Sequence, residues 1–202
     1  MVTTFYFIRH GQIDGNVERR WYGSTDQELN EEGARQADLL AAYFRKNTIG
    51  FDHLYCSPLK RTRVTAEKVG RPMGLEPVNH PDLVEFAIGV LETAAYEDLV
   101  EKHRFFESME RDRTFKPEGG ESVQQVAQRM VDALREIEER HRGKVIGIVG
   151  HGAAFGVTLS QLIKKDPYPF FPYHMDNTAV SKLVWSDAKV ELEFFNNSEH
   201  LS

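Results

Sequence analysis

Three apolar runs of this sequence each end in side chains that could bind an anion. The cationic or potentially cationic residues that follow the three runs are Arg9 and His10, Arg61, and His151. An arginine offers a planar fork of N–H donors that matches the oxygens of a phosphate. Four such groups, gathered without a matching carboxylate, would repel one another unless a multiply charged anion lay between them. These residue types therefore predict a local phosphate-binding site.

The four side chains can meet only if the three apolar runs are neighbouring strands. Residues 5–8, 53–56 and 145–149 are apolar without alternation, which is typical of strands covered by helices on both faces. Ligands of open α/β sheets bind outside the carboxyl ends of the parallel strands. We therefore expect the four cationic side chains to share one crevice.

Apolar residues with helical spacing occur between the predicted strands. Asn30 stands before one such stripe as a cap, and Ser122 with Gln125 stands before another as a capping box. Near the end of the chain, residues 178–185 and 190–195 have the composition of strands joined by a short turn. The sequence therefore predicts two long helices and a final hairpin.

A third helix is predicted directly after the strand at 53–56. Ser57 would be its N-cap, Pro58 would take the first helical position, and the helix would end near Gly70. The first turn would then carry Arg61. Its backbone N–H groups and positive dipole end would also face the predicted anion site.

The alternation of strands and helices predicts an α/β fold. We expect a single domain over residues 1–202, a three-layer α/β/α sandwich with a mostly parallel but mixed central sheet. Residues 72–121 are less regular. They predict a lid-like insertion that contains one helix from about residue 94 to residue 109.

Composition narrows the classes of function. The net charge is −6, which argues against a general nucleic-acid binder or an anionic-membrane binder, because both need a basic face. No window approaches the roughly 20 apolar residues that a membrane span needs. Cys56 is the only cysteine, so no internal disulfide can form. We therefore expect a cytoplasmic protein without a nucleic-acid or membrane partner.

Six blocks of the sequence, in order, resemble motifs of the histidine phosphatase superfamily, also called the phosphoglycerate-mutase-like family. The blocks are Arg9-His10-Gly11 with Asn16; Arg20, Gly23 and Asp26 with Gly33 and Gln36-Ala37; Ser57-Pro58-Leu59-Lys60-Arg61-Thr62 with Thr65-Ala66; Glu85 with Gly89 and Glu92; Gly120-Glu121-Ser122; and Gly150-His151-Gly152. The resemblance covers nearly the whole chain. It implies the phosphoglycerate-mutase-like form of the α/β/α sandwich.

The resemblance also implies a mechanism. In this family the histidine of the first motif, here His10, attacks phosphorus and becomes a transient phosphohistidine. Glu85 matches the residue that gives a proton to the leaving alcohol and later takes one from the attacking water. Arg9, Arg61 and His151 would bind the phosphoryl oxygens and offset the charge of the transition state. No metal or other cofactor is needed, because side chains supply the positive charge.

Substrate-binding residues follow from the same motifs. Asn16 would donate a neutral hydrogen bond to the phosphoryl group, and Tyr22 and Gly23 lie in the second block. Tyr22 stands where phosphatase members commonly have glutamine, and Ile13 stands where the family usually has threonine or serine. These departures affect the rim of the site, so they bear on the organic half of the substrate.

The sequence favours one function and leaves two others open. We expect a metal-independent phosphatase that hydrolyses phosphate monoesters of small molecules. The first alternative is a bisphosphoglycerate-dependent phosphoglycerate mutase, which returns the phosphoryl group to a bound phosphoglycerate. The second is a catalytically weak protein that binds or senses a phosphate ligand. Whether the chain forms a homodimer is also left open.

Overall fold

The fold is built around one mixed sheet, and a computed structural model describes all 202 residues of the chain. The sheet has the strand order β3-β2-β4-β1-β5-β6. Its strands are β1 Val2–Arg9, β2 His53–Cys56, β3 Val78–Asn79, β4 Val145–Gly150, β5 Val180–Ser186 and β6 Val190–Asn197. The first four are parallel, and β5 runs antiparallel to β1. The sheet is therefore mixed and mostly parallel, as predicted.

Helices cover both faces of the sheet. They are α1 Asp14–Val17, α2 Glu31–Lys46, α3 Lys60–Gly70, α4 Tyr96–Glu101, α5 Phe105–Arg111, α6 Val123–Arg140 and α7 Gly152–Lys164. Phe5 and Phe7 of β1 are buried in the apolar cluster that contains α6 and α7, whereas Ile8 is buried in the cluster that contains α2 and α3. Side chains alternate across a strand, so β1 contributes to both layers. This is the predicted α/β/α sandwich.

Two of the predicted helix caps are present. The side chain of Asn30 accepts a hydrogen bond from the backbone N–H of Gly33 at 2.9 Å, which caps α2. Ser122 and Gln125 form a reciprocal capping box at the start of α6. Both caps satisfy N–H groups that the first helical turn leaves without partners. No helix of the chain has both the length and the apolar character needed to span a bilayer.

The predicted start of the third helix was wrong. α3 begins at Lys60, with Leu59 in the capping position, rather than at Ser57. The backbone N–H of Ser57 still donates to Val149 of β4 at 3.1 Å, so the chain continues along the sheet at this point. The hydroxyl of Ser57 lies 2.9 Å from a ring nitrogen of His151 and is used there instead of as a helix cap.

The single helix expected from 94 to 109 is also wrong, because two short helices, α4 and α5, replace it. Arg104, between them, has a φ of 46° and breaks the helical path. In one continuous helix Leu99 and Phe105 would lie roughly 120° apart around the axis. The break allows both to be buried in the same apolar cluster. That residues 72–121 act as a lid, and that residues 1–202 are one domain, remain predictions.

The turn after β1 passes very close to the first turn of α2. A Cβ atom on Gly33 would lie 2.1 Å from the carbonyl oxygen of Gln12, and one on Gly11 would lie 2.3 Å from the carbonyl oxygen of Gly33. The backbone N–H of Asn30 donates to the same Gln12 oxygen at 3.1 Å. These contacts hold the end of β1 against the helix layer, so only glycine fits at both positions.

This close approach predicts an unusual effect of alanine in a helix. Glycine to alanine in a helix interior normally stabilises a protein, but Gly33→Ala should lower the free energy of unfolding by about 1–3 kcal/mol through backbone overpacking. Denaturant unfolding followed by circular dichroism measures it. Gly50→Ala is the matched control, because a Cβ there meets no atom within 4 Å. Equal stability of the two variants would refute the constraint.

Candidate active site

A cavity of about 520 Å³ opens at the carboxyl end of β1. The predicted site residues that line it are Arg9, His10, Asn16, Tyr22, Gly23, Arg61 and Glu85. His151 does not line the wall. It is completely buried behind His10, with 5.3 Å between the two ring centres. The fold therefore brings all eight predicted residues to one place, seven on the wall and one beside it.

The His10 imidazole has a defined orientation. Its Nδ1 lies 2.7 Å from the carbonyl oxygen of Gly11, and a carbonyl can only accept, so Nδ1 carries the hydrogen. The lone pair is then on Nε2, which has no partner in the chain. Burial, followed by the nearby guanidinium groups of Arg61 and Arg9, holds the pKa of His10 well below its ordinary value. The ring is therefore neutral at neutral pH, with a free basic nitrogen.

Main-chain carbonyl groups hold the two buried arginines. Nη1 of Arg9 donates to the carbonyl oxygen of Met175 at 2.6 Å. Nη1 and Nη2 of Arg61 donate to the carbonyl oxygens of Thr25 and Gly23 at 2.9 and 2.8 Å. Burial lowers the pKa of both guanidinium groups, but an arginine in a protein stays protonated. The Nε donor of each arginine has no partner in the chain.

His151 adds a third unpaired group. Its Nε2 lies 2.9 Å from the Ser57 hydroxyl, while its Nδ1 is buried without a partner. Burial and the neighbouring Arg61 hold the pKa of His151 well below its ordinary value. When the hydroxyl donates to Nε2, Nδ1 carries the hydrogen and becomes a donor. In the whole chain, five buried side-chain polar atoms have no hydrogen-bond partner, and three of the five belong to Arg9, Arg61 and His151.

Buried polar atoms without hydrogen-bond partners are rare in folded proteins. Three of them on neighbouring side chains therefore indicate a ligand-binding site. Two of the three belong to arginines that line the cavity, and the third belongs to His151, which lies directly beside His10. The N-terminal end of α7 lies in the same place, since Gly152 and Ala153 line the cavity. The arrangement can bind a phosphoryl group while the free Nε2 of His10 faces the cavity.

The Glu85 carboxylate lies on the wall of the same cavity and is held by backbone donors. Its Oε1 accepts from the N–H groups of Phe86 and Ala154 at 2.8 and 2.7 Å, and its Oε2 accepts from Ala153 at 3.2 Å. Glu85 is also a favourable electrostatic neighbour of Arg9 and Arg61. The sequence analysis expected the cationic side chains to gather without a carboxylate among them. The structure places the Glu85 carboxylate beside Arg9 and Arg61, so that expectation was incomplete.

An ion pair holds the main chain around Glu85. Nη2 of Arg129, on α6, donates to the carbonyl oxygen of Glu85 at 3.1 Å, and its Nη1 donates to that of Val84 at 2.9 Å. Nε of the same guanidinium group pairs with Glu121 at 2.6 Å, and Glu121 also accepts from the N–H of Ala87 at 3.2 Å. The loop that carries Glu85 is thus tied to the helix layer.

Glu92 has a comparable role for Arg61. Its carboxylate accepts from the backbone N–H groups of Ser24 and Thr25 at 2.9 and 2.8 Å, and from both hydroxyl groups. The same turn presents the carbonyl groups of Gly23 and Thr25 to Arg61. A Cβ atom on Gly23 would lie 2.5 Å from the Glu92 carboxylate. Glu92 therefore shapes the turn that orients the Arg61 guanidinium.

Asn16 and Tyr22 lie on the outer wall. Oδ1 of Asn16 accepts from the N–H of Ile13 and from Nδ2 of Asn177, both at 3.1 Å, which leaves its own Nδ2 without a partner in the chain. The Tyr22 ring packs directly on Gly15, where a Cβ atom would lie 2.2 Å from the ring. Both side chains are half-buried, so each could contact a ligand.

Sequence reasoning missed several residues of the wall, among them the polar residues His174 and Asn177. They precede β5, which runs antiparallel to β1, with Val180 paired to Ile8. The start of β5 therefore lies beside the end of β1, and polar residues before this strand were the available signal. Burial, followed by nearby Arg9, lowers the pKa of His174 to about 4. Sequence reasoning also gave no role to Ser57 beyond a cap.

Comparisons with known proteins agree with this geometry. The sequence model of the histidine phosphatase superfamily (branch 1) matches residues 5–198. A probable phosphoglycerate mutase from Cronobacter sakazakii is 32% identical over 187 residues, which cover 91% of this chain and 85% of the relative. Phosphoserine phosphatase 1 from Hydrogenobacter thermophilus is 28% identical over 196 residues, which cover 96% and 92%.

A solved structure is also very similar. The phosphoserine phosphatase of Entamoeba histolytica, in complex with 3-phosphoglyceric acid, superposes with a TM-score of 0.88 and 27% identity, over 99% of this chain and 100% of that one. These three proteins are named as phosphatases or as a probable mutase. The family match over almost the whole length and the shared fold lead to one conclusion: this chain belongs to the histidine phosphatase superfamily.

Proposed function

We propose that this protein is a metal-independent phosphatase that hydrolyses phosphate monoesters of small molecules through a phosphohistidine on His10. The observation that carries the proposal is the set of three unpaired buried atoms, on Arg9, Arg61 and His151, around an imidazole whose Nε2 is free. A tetrahedral phosphoryl group has enough oxygens to accept from all three. Positive charge already in place stabilises the in-line transition state without a metal ion.

The first half-reaction forms the phosphohistidine. The Nε2 lone pair of His10 attacks phosphorus, and the bond from phosphorus to the alcohol oxygen breaks. Glu85, in its protonated form, gives its proton to that oxygen, so the product leaves as a neutral alcohol. Nδ1–H of His10 keeps its hydrogen bond to Gly11, which holds the ring in line and stabilises the positive charge on the phosphorylated imidazole.

The second half-reaction releases phosphate. Glu85, now a carboxylate, takes a proton from a water molecule while the water oxygen attacks phosphorus. The bond from phosphorus to Nε2 breaks, and its electron pair returns to the imidazole. Phosphate leaves, and Glu85 again carries a proton. One carboxyl group therefore serves both steps, first as an acid and then as a base.

The organic half of the substrate would lie against Asn16, Tyr22 and Gly23. The cavity is much larger than one phosphoryl group, so it has room for the alcohol part of a small metabolite. Two similar proteins are phosphoserine phosphatases, and one of them binds 3-phosphoglyceric acid. These names support a small phosphate ester as the substrate. A cytoplasmic location and a homodimer remain predictions.

A phosphoglycerate mutase is the second candidate, because a relative with that name is 32% identical. A mutase would use the same first half-reaction, but the phosphoryl group would return to a bound phosphoglycerate instead of passing to water. Release of inorganic phosphate from 3-phosphoglycerate, measured beside its isomerisation in the presence of 2,3-bisphosphoglycerate, separates the two. Faster isomerisation than phosphate release would favour the mutase. A protein that only binds phosphate ligands would do neither.

The nucleophile is tested by removing the imidazole. His10→Ala should abolish phosphate release from p-nitrophenyl phosphate, because the proposed mechanism passes the phosphoryl group through the Nε2 atom of this imidazole. His103→Ala, at an exposed position outside the cavity, is the control and should keep wild-type activity. EDTA should not inhibit the wild-type protein. Appreciable activity of His10→Ala would remove His10 as the nucleophile, and loss with EDTA would indicate a metal.

The double role of Glu85 predicts a burst that depends on the leaving group. With p-nitrophenyl phosphate, whose phenolate leaves without a proton, Glu85→Gln should release about one equivalent of p-nitrophenol rapidly and then turn over slowly. With an alkyl phosphate the same variant should lose its first step by roughly 100-fold or more. Rapid-quench kinetics measures both. Glu118→Gln, at an exposed position, is the control. Similar losses on both substrates, without a burst, would contradict the assignment.

The Glu92 turn predicts a defect in anion binding. Glu92→Gln replaces a carboxylate that accepts from four donors with an amide whose NH₂ group faces some of them. The inhibition constant for inorganic phosphate should rise roughly tenfold or more as Arg61 loses its orientation. Glu97→Gln, exposed on α4, is the control. An unchanged inhibition constant would show that Arg61 is positioned without Glu92.

A further inference from the structure

Ser57 carries a buried hydroxyl group that the proposed mechanism does not use. Its side chain and that of His151 are both completely buried. Ser57 follows β2 and His151 follows β4, and these two strands are parallel neighbours with Cys56 paired to Val149. This register places the hydroxyl beside the imidazole, and the 2.9 Å from Oγ to Nε2 is a hydrogen-bond distance.

The hydrogen of this contact can be assigned to one of its two atoms. The oxygen of Ser57 also accepts from the backbone N–H of Leu59 at 3.4 Å, and the chain offers the hydroxyl no acceptor except Nε2 of His151. A buried hydroxyl without an acceptor is unfavourable. When the hydroxyl donates to Nε2, the lone pair of His151 is on Nε2 and its hydrogen is on Nδ1.

The opposite arrangement leaves two groups without partners instead of one. If Nε2 carried the hydrogen, it would donate to the Ser57 oxygen, and the hydroxyl hydrogen would have no acceptor. Nδ1 would then hold a buried lone pair with no donor in the chain. Burial and Arg61 oppose a hydrogen on both nitrogens, because they hold the pKa of His151 well below its ordinary value. The contact with Ser57 therefore favours a neutral ring with its hydrogen on Nδ1.

The two neighbouring imidazoles then have opposite chemical roles. In His10 the hydrogen bond to Gly11 occupies Nδ1, so the free nitrogen, Nε2, carries a lone pair. In His151 the hydrogen bond to Ser57 occupies Nε2, so the free nitrogen, Nδ1, carries a hydrogen. The first is suited to attack on phosphorus, and the second is suited to donation to a phosphoryl oxygen. The reverse tautomer of His151 would present a lone pair to the same anion, which is repulsive.

We propose that Ser57 is a positioning residue that fixes His151 as the neutral Nδ1–H tautomer, so that His151 binds the phosphoryl group as a donor without a charge of its own. The inference rests on the proposed function, in which His151 binds that group. Ser57 acts only through His151 and does not contact the ligand. The positive charge around the phosphoryl group then comes from Arg9 and Arg61.

Nitrogen-15 NMR on protein with labelled histidine reads the tautomer directly. The chemical shift of each ring nitrogen shows whether that nitrogen carries a hydrogen, and His151→Ala identifies the His151 signals by their absence. The wild-type protein with bound inorganic phosphate should show hydrogen on Nδ1 and none on Nε2. Hydrogen on Nε2, or on both nitrogens, would overturn the inference even if variants of Ser57 failed to fold. Ser57→Ala should move the hydrogen to Nε2, and an unchanged tautomer would also overturn it.

Anion binding provides a second measurement. Ser57→Ala should raise the calorimetric dissociation constant for inorganic phosphate about tenfold, because the His151 donor is lost in most molecules. In the background of His151→Ala, the same substitution should change the constant by less than about twofold, because the group through which Ser57 acts is already absent. Ser57→Thr, which keeps a hydroxyl, should recover part of the loss. Additive losses in the double variant would overturn the positioning role.

Ser160→Ala is the matched control. Ser160 is also completely buried, its hydroxyl donates to the carbonyl oxygen of Asp166 at 2.8 Å, and it does not line the cavity. The variant should keep the phosphate affinity of the wild type although it loses a buried hydrogen bond. An equal rise of the dissociation constant in Ser160→Ala would overturn the proposal, because general loosening of the fold would then explain the effect of Ser57→Ala.

These measurements separate the positioning role from the hydrolase, since none of them needs turnover. Hydrogen on Nδ1 of His151, together with phosphate binding that depends on Ser57, would support the inference even in a protein that hydrolysed no ester. Only the proposed function would fall in that case. Release of phosphate from p-nitrophenyl phosphate by a wild-type protein with hydrogen on Nε2 of His151 would overturn the inference and leave the hydrolase in place.

Discussion

Two buried guanidinium groups lie beside a neutral imidazole, and most of the contacts around the cavity serve to hold them there. Arg9 and Arg61 are almost completely buried, and a buried charge is strongly unfavourable unless other groups compensate it. The chain compensates only in part, with carbonyl oxygens for the Nη donors and with the Glu85 carboxylate nearby. Each Nε remains unpaired. In the function we propose, a phosphoryl group would accept from these donors and complete the compensation.

The cations also control the state of the histidine between them. Burial and the two guanidinium groups keep the pKa of His10 low, so the ring stays neutral at the pH where a nucleophile is needed. The hydrogen bond to Gly11 then selects Nε2 as the free nitrogen. In the mechanism we propose, one arrangement of charge therefore binds the anion and also keeps the attacking nitrogen available. This is why no metal ion is required in the mechanism we propose.

Segments far apart in the sequence hold the cations in place. Glu92 shapes the turn whose carbonyl groups orient Arg61, and the ion pair of Arg129 with Glu121 holds the loop of Glu85. The glycine contacts between β1 and α2 fix the position of His10. The first two supports are backbone contacts oriented by a side chain, whereas the glycine contacts join two stretches of backbone. The position of the phosphoryl site therefore depends on the loops as much as on the sheet.

Most local elements could be predicted from the sequence, because strands, caps and the residues that follow them depend on neighbours in the chain. It identified the buried strands, the Asn30 and Ser122 caps, and the set of cations at the strand ends. Tertiary structure decided the rest. Contacts across the sheet assigned the Ser57 hydroxyl to His151, a shared core divided the helix at Arg104, and antiparallel β5 brought His174 to the cavity. Long-range register and packing, which no local pattern encodes, are the physical reason for these contacts.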